Sequence, residues 1–164
     1  MRIDLKKLAA IGAVAAMGLA ATQAQAASAT GDASVTIATP VAVSQTTALS
    51  FGTVAPSGTA GTVTLDFANG RTVGGGVTAL GGSPASGTFA VTGQASQAVT
   101  VSVDSSVTLS SSGNTDMTAS LTNNAGSALS GAGAMTINVG GTLSVGANQG
   151  TGTYNGTYTV TVNY

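Results

Sequence analysis

A side-chain pattern of period two governs this sequence, and it is clearest at Tyr158-Thr159-Val160-Thr161-Val162-Asn163-Tyr164. Tyr158, Val160, Val162 and Tyr164 fall on one face, and Thr159, Thr161 and Asn163 fall on the other. Successive side chains of a strand point to opposite faces, so this alternation predicts a β-strand with one buried and one wet side. Its β-branched and aromatic residues suit a pleated, half-buried surface. A strand cannot satisfy its own backbone, so Tyr158–Tyr164 must be held by neighbours formed earlier in the chain.

The same period recurs upstream. Leu49 and Phe51 alternate, as do Val63, Leu65 and Phe67, then Phe89 and Val91, then Val99, Val101 and Val103. Val107 and Leu109 follow, then Met117, Ala119 and Leu121, and then Met135, Ile137 and Val139. Asn69-Gly70 is expected to be a tight hairpin turn, and Gly140-Gly141 a turn before Leu143 and Val145. Gly52 marks a bulge or a close backbone approach, and Gly74-Gly75-Gly76 loosens a return strand that runs from Arg71 to Leu80. Asn155-Gly156 reads as a hairpin turn or bulge before the last strand. No helical period follows the leader. The expectation is an all-β domain, a sandwich or barrel of about eight or nine short strands.

The leader itself carries Arg2, Lys6 and Lys7, then an apolar run over Leu8–Ala21, then Ala24-Gln25-Ala26. A positive start, an apolar stretch and a small-x-small site describe a helical signal peptide cleaved after Ala26. This predicts export through the Sec pathway to the periplasm, then to the cell surface or beyond. The chain divides into a signal peptide over 1–26, an N-terminal extension over 27–40 and a β-sandwich domain over 41–164. In the extension, Ala33, Val35 and Ile37 alternate over Ala33–Thr39 until Pro40 interrupts. Proline lacks the ladder N–H, so it separates Ala33–Thr39 from Val41 and Val43.

The chemistry available beyond the leader is sparse. Arg71 is the only basic residue there, Asp32, Asp66, Asp104 and Asp116 are the only acids, and Glu, His, Cys and Trp are absent. Nucleic-acid binding needs several cations on one surface, so it is excluded as a function class. Without cysteines no disulfide can staple the domain, which must rely on its core and ladders. The Asp residues stand singly and match no calcium-loop spacing, so they read as solvated charges or turn caps. Gly74-Gly75-Gly76 lacks the residues of a phosphate loop and opens no helix. Ser and Thr abound, but no His, Cys or Glu stands ready to activate them. The reading is a non-enzyme with no cofactor, no metal and no small-molecule substrate. Tyr154, Tyr158 and Tyr164 are read as core and edge packing rather than a sugar-binding stripe.

Leu49-Ser50-Phe51-Gly52, Gly140-Gly141-Thr142-Leu143 with Gln149-Gly150, and the run from Gly152 to Tyr164 together carry a resemblance. Over approximately Val35 to Tyr164, the chain resembles a secreted proteobacterial domain family of unknown function. That family looks like a relative of the spore coat protein U domain, which supplies subunits of archaic chaperone–usher pili. The resemblance implies an incomplete immunoglobulin-like, pilin-like sandwich whose missing strand comes from the next subunit. The donor strand would be Ala33–Thr39, with Val35 and Ile37 as plugs. The acceptor edge would be bordered by Val41 and Val43 on one side and by Tyr158, Val160, Val162 and Tyr164 on the other. Implied partners are other copies or related pilin subunits, a periplasmic chaperone and an outer-membrane usher. The chain departs from the coat protein U pattern in having no cysteine.

Two functions follow. The first is a structural subunit of a surface fibre or coat, joined by donor-strand complementation. The second is a self-contained, adhesin-like binding module in which Ala33–Thr39 pairs with its own sandwich.

Overall fold

The computed structural model describes residues 25–164; the leader expected over 1–26 falls almost wholly outside them. Among the described residues the chain divides into two units, 25–36 and 37–164. In the first, residues 25–36 carry no strand, and Val35 is 85% exposed. The second is a β-sandwich of nine strands and no helix among the described residues.

The strands are β1 (Ala42–Thr47), β2 (Thr53–Leu65), β3 (Arg71–Gly81), β4 (Gly87–Thr92), β5 (Thr100–Val103), β6 (Ser106–Leu109), β7 (Met117–Asn123), β8 (Ala134–Val145) and β9 (Val160–Asn163). Seven form one hydrogen-bonded sheet in the order β1-β4-β8-β2-β3, with β7 joining β8 and β6 joining β7. β5 and β9 form the second sheet. Every pairing is antiparallel. The predicted alternation translates into burial: Met117, Ala119 and Leu121 of β7 are buried while Thr118 and Ser120 are exposed. Val63, Ile137 and Val139, with no exposed surface, sit at the centre of the core.

β8 ties the halves of the larger sheet together, and here the sequence expectation needs correcting. Gly140-Gly141 is no turn. The strand runs straight through it, pairing with β4 over Ala134–Val139 and then with β2 over Gly141–Val145. β7 occupies its other edge over Val139–Ser144. The glycines are required by proximity. A Cβ on Gly140 would lie 2.5 Å from the Leu65 carbonyl oxygen, and one on Gly141 would collide with that of Ser120. Neither backbone could yield without breaking a ladder.

Other turn expectations shift for local reasons. The β2–β3 connection is a longer turn over Asp66–Gly70, in which Asn69 alone takes the left-handed conformation (φ 69°). The Asp66 carboxylate organises it, accepting the Ala68 N–H at 2.8 Å and the Gly70 N–H at 2.7 Å. That curl ends β2 at Leu65, so Phe67 is 38% exposed instead of joining the inward face. Gly74-Gly75-Gly76 does not interrupt β3. It faces a bulge in β2 between Pro56 and Gly61, where a Cβ on Gly76 would collide with the Thr59 carbonyl. Asn155-Gly156 is likewise no turn: Asn155 bridges Ser110, and Gly156 lies flat against the Thr108 carbonyl of β6.

Candidate functional site

The stretch from Leu49 to Val54 is placed by backbone and one cation. Ser50 and Ala85 exchange two backbone hydrogen bonds, at 2.8 and 2.9 Å. Gly52 then adopts φ +73°, with the Arg71 guanidinium packed where a side chain would stand. One Arg71 nitrogen donates to the carbonyls of Gly81 (2.8 Å), Phe51 (3.1 Å) and Thr53 (3.3 Å). Phe51 turns into the core, and β2 begins at Thr53. Over Thr53–Pro56, β2 pairs with β3 alone, whereas Gly61–Leu65 pairs with both β3 and β8. The early half of β2 therefore leaves one edge free.

Across from it runs the 149–158 segment, which belongs to no strand. Side chains hold it instead. Tyr154 Oη donates to the Gly150 carbonyl at 2.8 Å and accepts from Gln149 Nε2 at 2.9 Å. Asn114 Nδ2 donates to the Thr151 carbonyl at 3.1 Å. Its backbone meets the sheet once, at the Ser110–Asn155 bridge. Between these two segments lies a cleft of about 630 Å³, lined by apolar groups that include Phe51, Val54, Leu109, Met117, Val145 and Tyr154.

The cleft belongs to a longer seam between residues 41–57 and residues 148–164. Advancing along the first segment through Val41, Leu49 and Ser57 is matched by retreating along the second through Tyr164, Tyr158 and Asn148. At one end the Asn148 N–H donates to the Ser57 carbonyl at 2.8 Å. Midway, Leu49 and the Tyr158 hydroxyl crowd the same face of Gly87. At the far end Val41 and the Tyr164 hydroxyl crowd Gly93, and that hydroxyl donates to the Thr39 carbonyl. Between those ends, no backbone ladder joins the two segments among the described residues. β1 pairs only with β4, and β9 only with β5. β1 and β9 thus each keep one edge without a ladder partner, and an unpaired edge invites an added strand.

Of the residues singled out in the sequence, Val41, Val43 and the Tyr158–Tyr164 run border this seam, whereas Val35 and Ile37 do not. Val41 is half-buried just before β1, and Val43, paired with Val91, is 40% exposed. Neither β1 face is covered, so the expected inward face at Val43 does not form. Tyr158 and Val160 are half-buried and Val162 is buried, while Thr159, Thr161 and Asn163 are exposed, as the alternation predicts. The paired part of that run is shorter than expected, Val160–Asn163, and Tyr164 is 50% exposed. Ile37 is 90% exposed and Ala33–Thr39 forms no strand. The Asp104 carboxylate fixes the entry to β9, accepting the Thr159 N–H at 2.7 Å.

Tyr158 is the chemically unusual member. Its ring meets Phe89 edge-on, with centroids 5.9 Å apart and planes at 73°. Its hydroxyl is buried and finds no hydrogen-bond partner among the described residues. Burial raises its pKa above the ordinary tyrosine value. Sequence reasoning missed Arg71 as a brace and Gln94 as a contact of Tyr164. As the only cation after the leader, Arg71 carried a signal; Gln94 carried none.

No curated protein and no solved structure matches the chain. A family model, Domain of unknown function (DUF4402), matches residues 41–164. That span takes in all nine strands and both sides of the seam, and the chain belongs to this family.

Proposed function

We propose that this protein is a secreted, non-enzymatic structural subunit, pilin-like in the manner of the coat protein U relatives, which joins other copies by donor-strand complementation. One observation carries the reading: the unladdered seam between residues 41–57 and 148–164. An exposed segment with the period to fill such a seam precedes it. Val35 and Ile37 are 85% and 90% exposed, and their residue spacing matches one face of a strand. Burying each would contribute about 1.5–3 kcal/mol, with backbone pairing adding to it. A periplasmic chaperone would hold the seam before assembly, and an outer-membrane usher would exchange that guest for the next subunit.

The test is deletion of Ala27–Thr39 from the secreted chain. Polymers should vanish, while the remaining domain should bind an added Ala33–Thr39 peptide. Polymers that persist would remove this segment as the donor.

A further inference from the structure

We infer that Thr39, Gln94 and Tyr164 form a clasp that stops the 27–40 extension from folding back along its own β1; the inference rests on the subunit reading above. A donor segment joined directly to an acceptor edge faces a competitor. Its own edge is only residues away, and intramolecular pairing enjoys an effective concentration in the millimolar range. The local sequence even favours reversal, since proline suits the second position of a β-turn. A turn centred on Pro40 and Val41 would close through the Thr39 carbonyl and lay Ile37 and Val35 beside β1.

The Thr39 carbonyl is already engaged. It accepts the Tyr164 hydroxyl hydrogen, and the Thr39 N–H donates to Gln94 Oε1 at 3.3 Å. The Gln94 backbone N–H donates in turn to the Tyr164 hydroxyl at 2.9 Å. Three groups far apart in sequence thus satisfy both backbone polar groups of Thr39 and the hydroxyl that holds them. Gly93 makes the arrangement possible, because a Cβ there would stand 2.5 Å from the Tyr164 hydroxyl. A hairpin closed here would exchange both backbone bonds of Thr39 with Ala42, and the single N–H hydrogen of Thr39 is already given to Gln94 Oε1. The extension then stays available to a second copy, while the outward edge of β1 stays open.

The experiment uses the whole secreted chain, unchanged or carrying Tyr164→Phe or Gln94→Ala. The second variant frees the Thr39 N–H without touching the 158–164 run, and leaves the Gln94 backbone N–H on the Tyr164 hydroxyl. Polymer content is read by size exclusion, and hydrogen exchange of residues 33–39 is read by mass spectrometry on the monomer fraction. Both variants should show at least tenfold slower exchange over 33–39 and at least tenfold less polymer. Unchanged exchange with undiminished polymer would overturn the clasp while upholding the subunit reading. Absence of polymer in the unchanged chain would instead defeat the subunit reading. The exchange data would then judge the clasp separately: slower exchange in the variants supports it, and unchanged or faster exchange overturns it.

Discussion

Replacing Ile37 by Ala separates assembly from folding. Ile37 is 90% exposed, so under the proposed donor role nearly its whole side chain would be taken out of water. The change removes three carbon groups, each worth about 0.8 kcal/mol when buried, or about 2 kcal/mol in all. Under the proposed donor role, that corresponds to about 30-fold weaker self-association, measured by sedimentation of the chain over a concentration series. Because the residue touches no core, monomer unfolding in urea should move by less than about 0.5 kcal/mol. Val35→Ala loses one carbon fewer and should weaken association about tenfold by the same reckoning. Unchanged association in both variants, or a monomer destabilised as much as the assembly is weakened, would refute the donor reasoning.

Gly141→Ala forces a methyl against the Ser120 carbonyl and should destabilise the domain by about 3 kcal/mol, read as a lower urea midpoint. Tyr158→Phe removes a buried hydroxyl that lacks a partner, so the variant should be more stable by about 1 kcal/mol in thermal or chemical unfolding. Burial raises the Tyr158 pKa, so its neutral form favours the fold. That stability is complete below the ordinary tyrosine value near pH 10 and is lost as pH rises through the folded value, and the Phe variant should lack this alkaline decline. Arg71→Met strips the brace from three carbonyls and should reduce stability by about 2 kcal/mol, with faster hydrogen exchange around Gly52 and Gly81.

Much of the fold is legible in the alternation, since a period of two has one physical cause once helical period is absent. Val63, Leu65, Val91, Ile137 and Val139 fall on predicted inward faces and form the core. The glycines resist such reading, because one residue serves two purposes. Gly140-Gly141 and Asn155-Gly156 look like turns, yet they are places where a strand or segment passes tightly against another backbone. Only the fold reveals which neighbour is there. At the seam, the Tyr158–Tyr164 run announces itself, but the unpaired early half of β2 does not, since nothing in Thr53–Pro56 says that β8 fails to reach it. The link from Thr39 to Tyr164 spans nearly the whole domain and leaves no local trace.

β8 carries a mechanical consequence. Its two halves serve different neighbours, yet a single unbroken polypeptide passes through Gly140-Gly141 to join them. Tension on β4 and β1 therefore travels to β2 and β7 through covalent bonds rather than across packed side chains alone. A load along β8 is therefore shared by both halves, like a rope spliced at its middle rather than two pieces glued side by side.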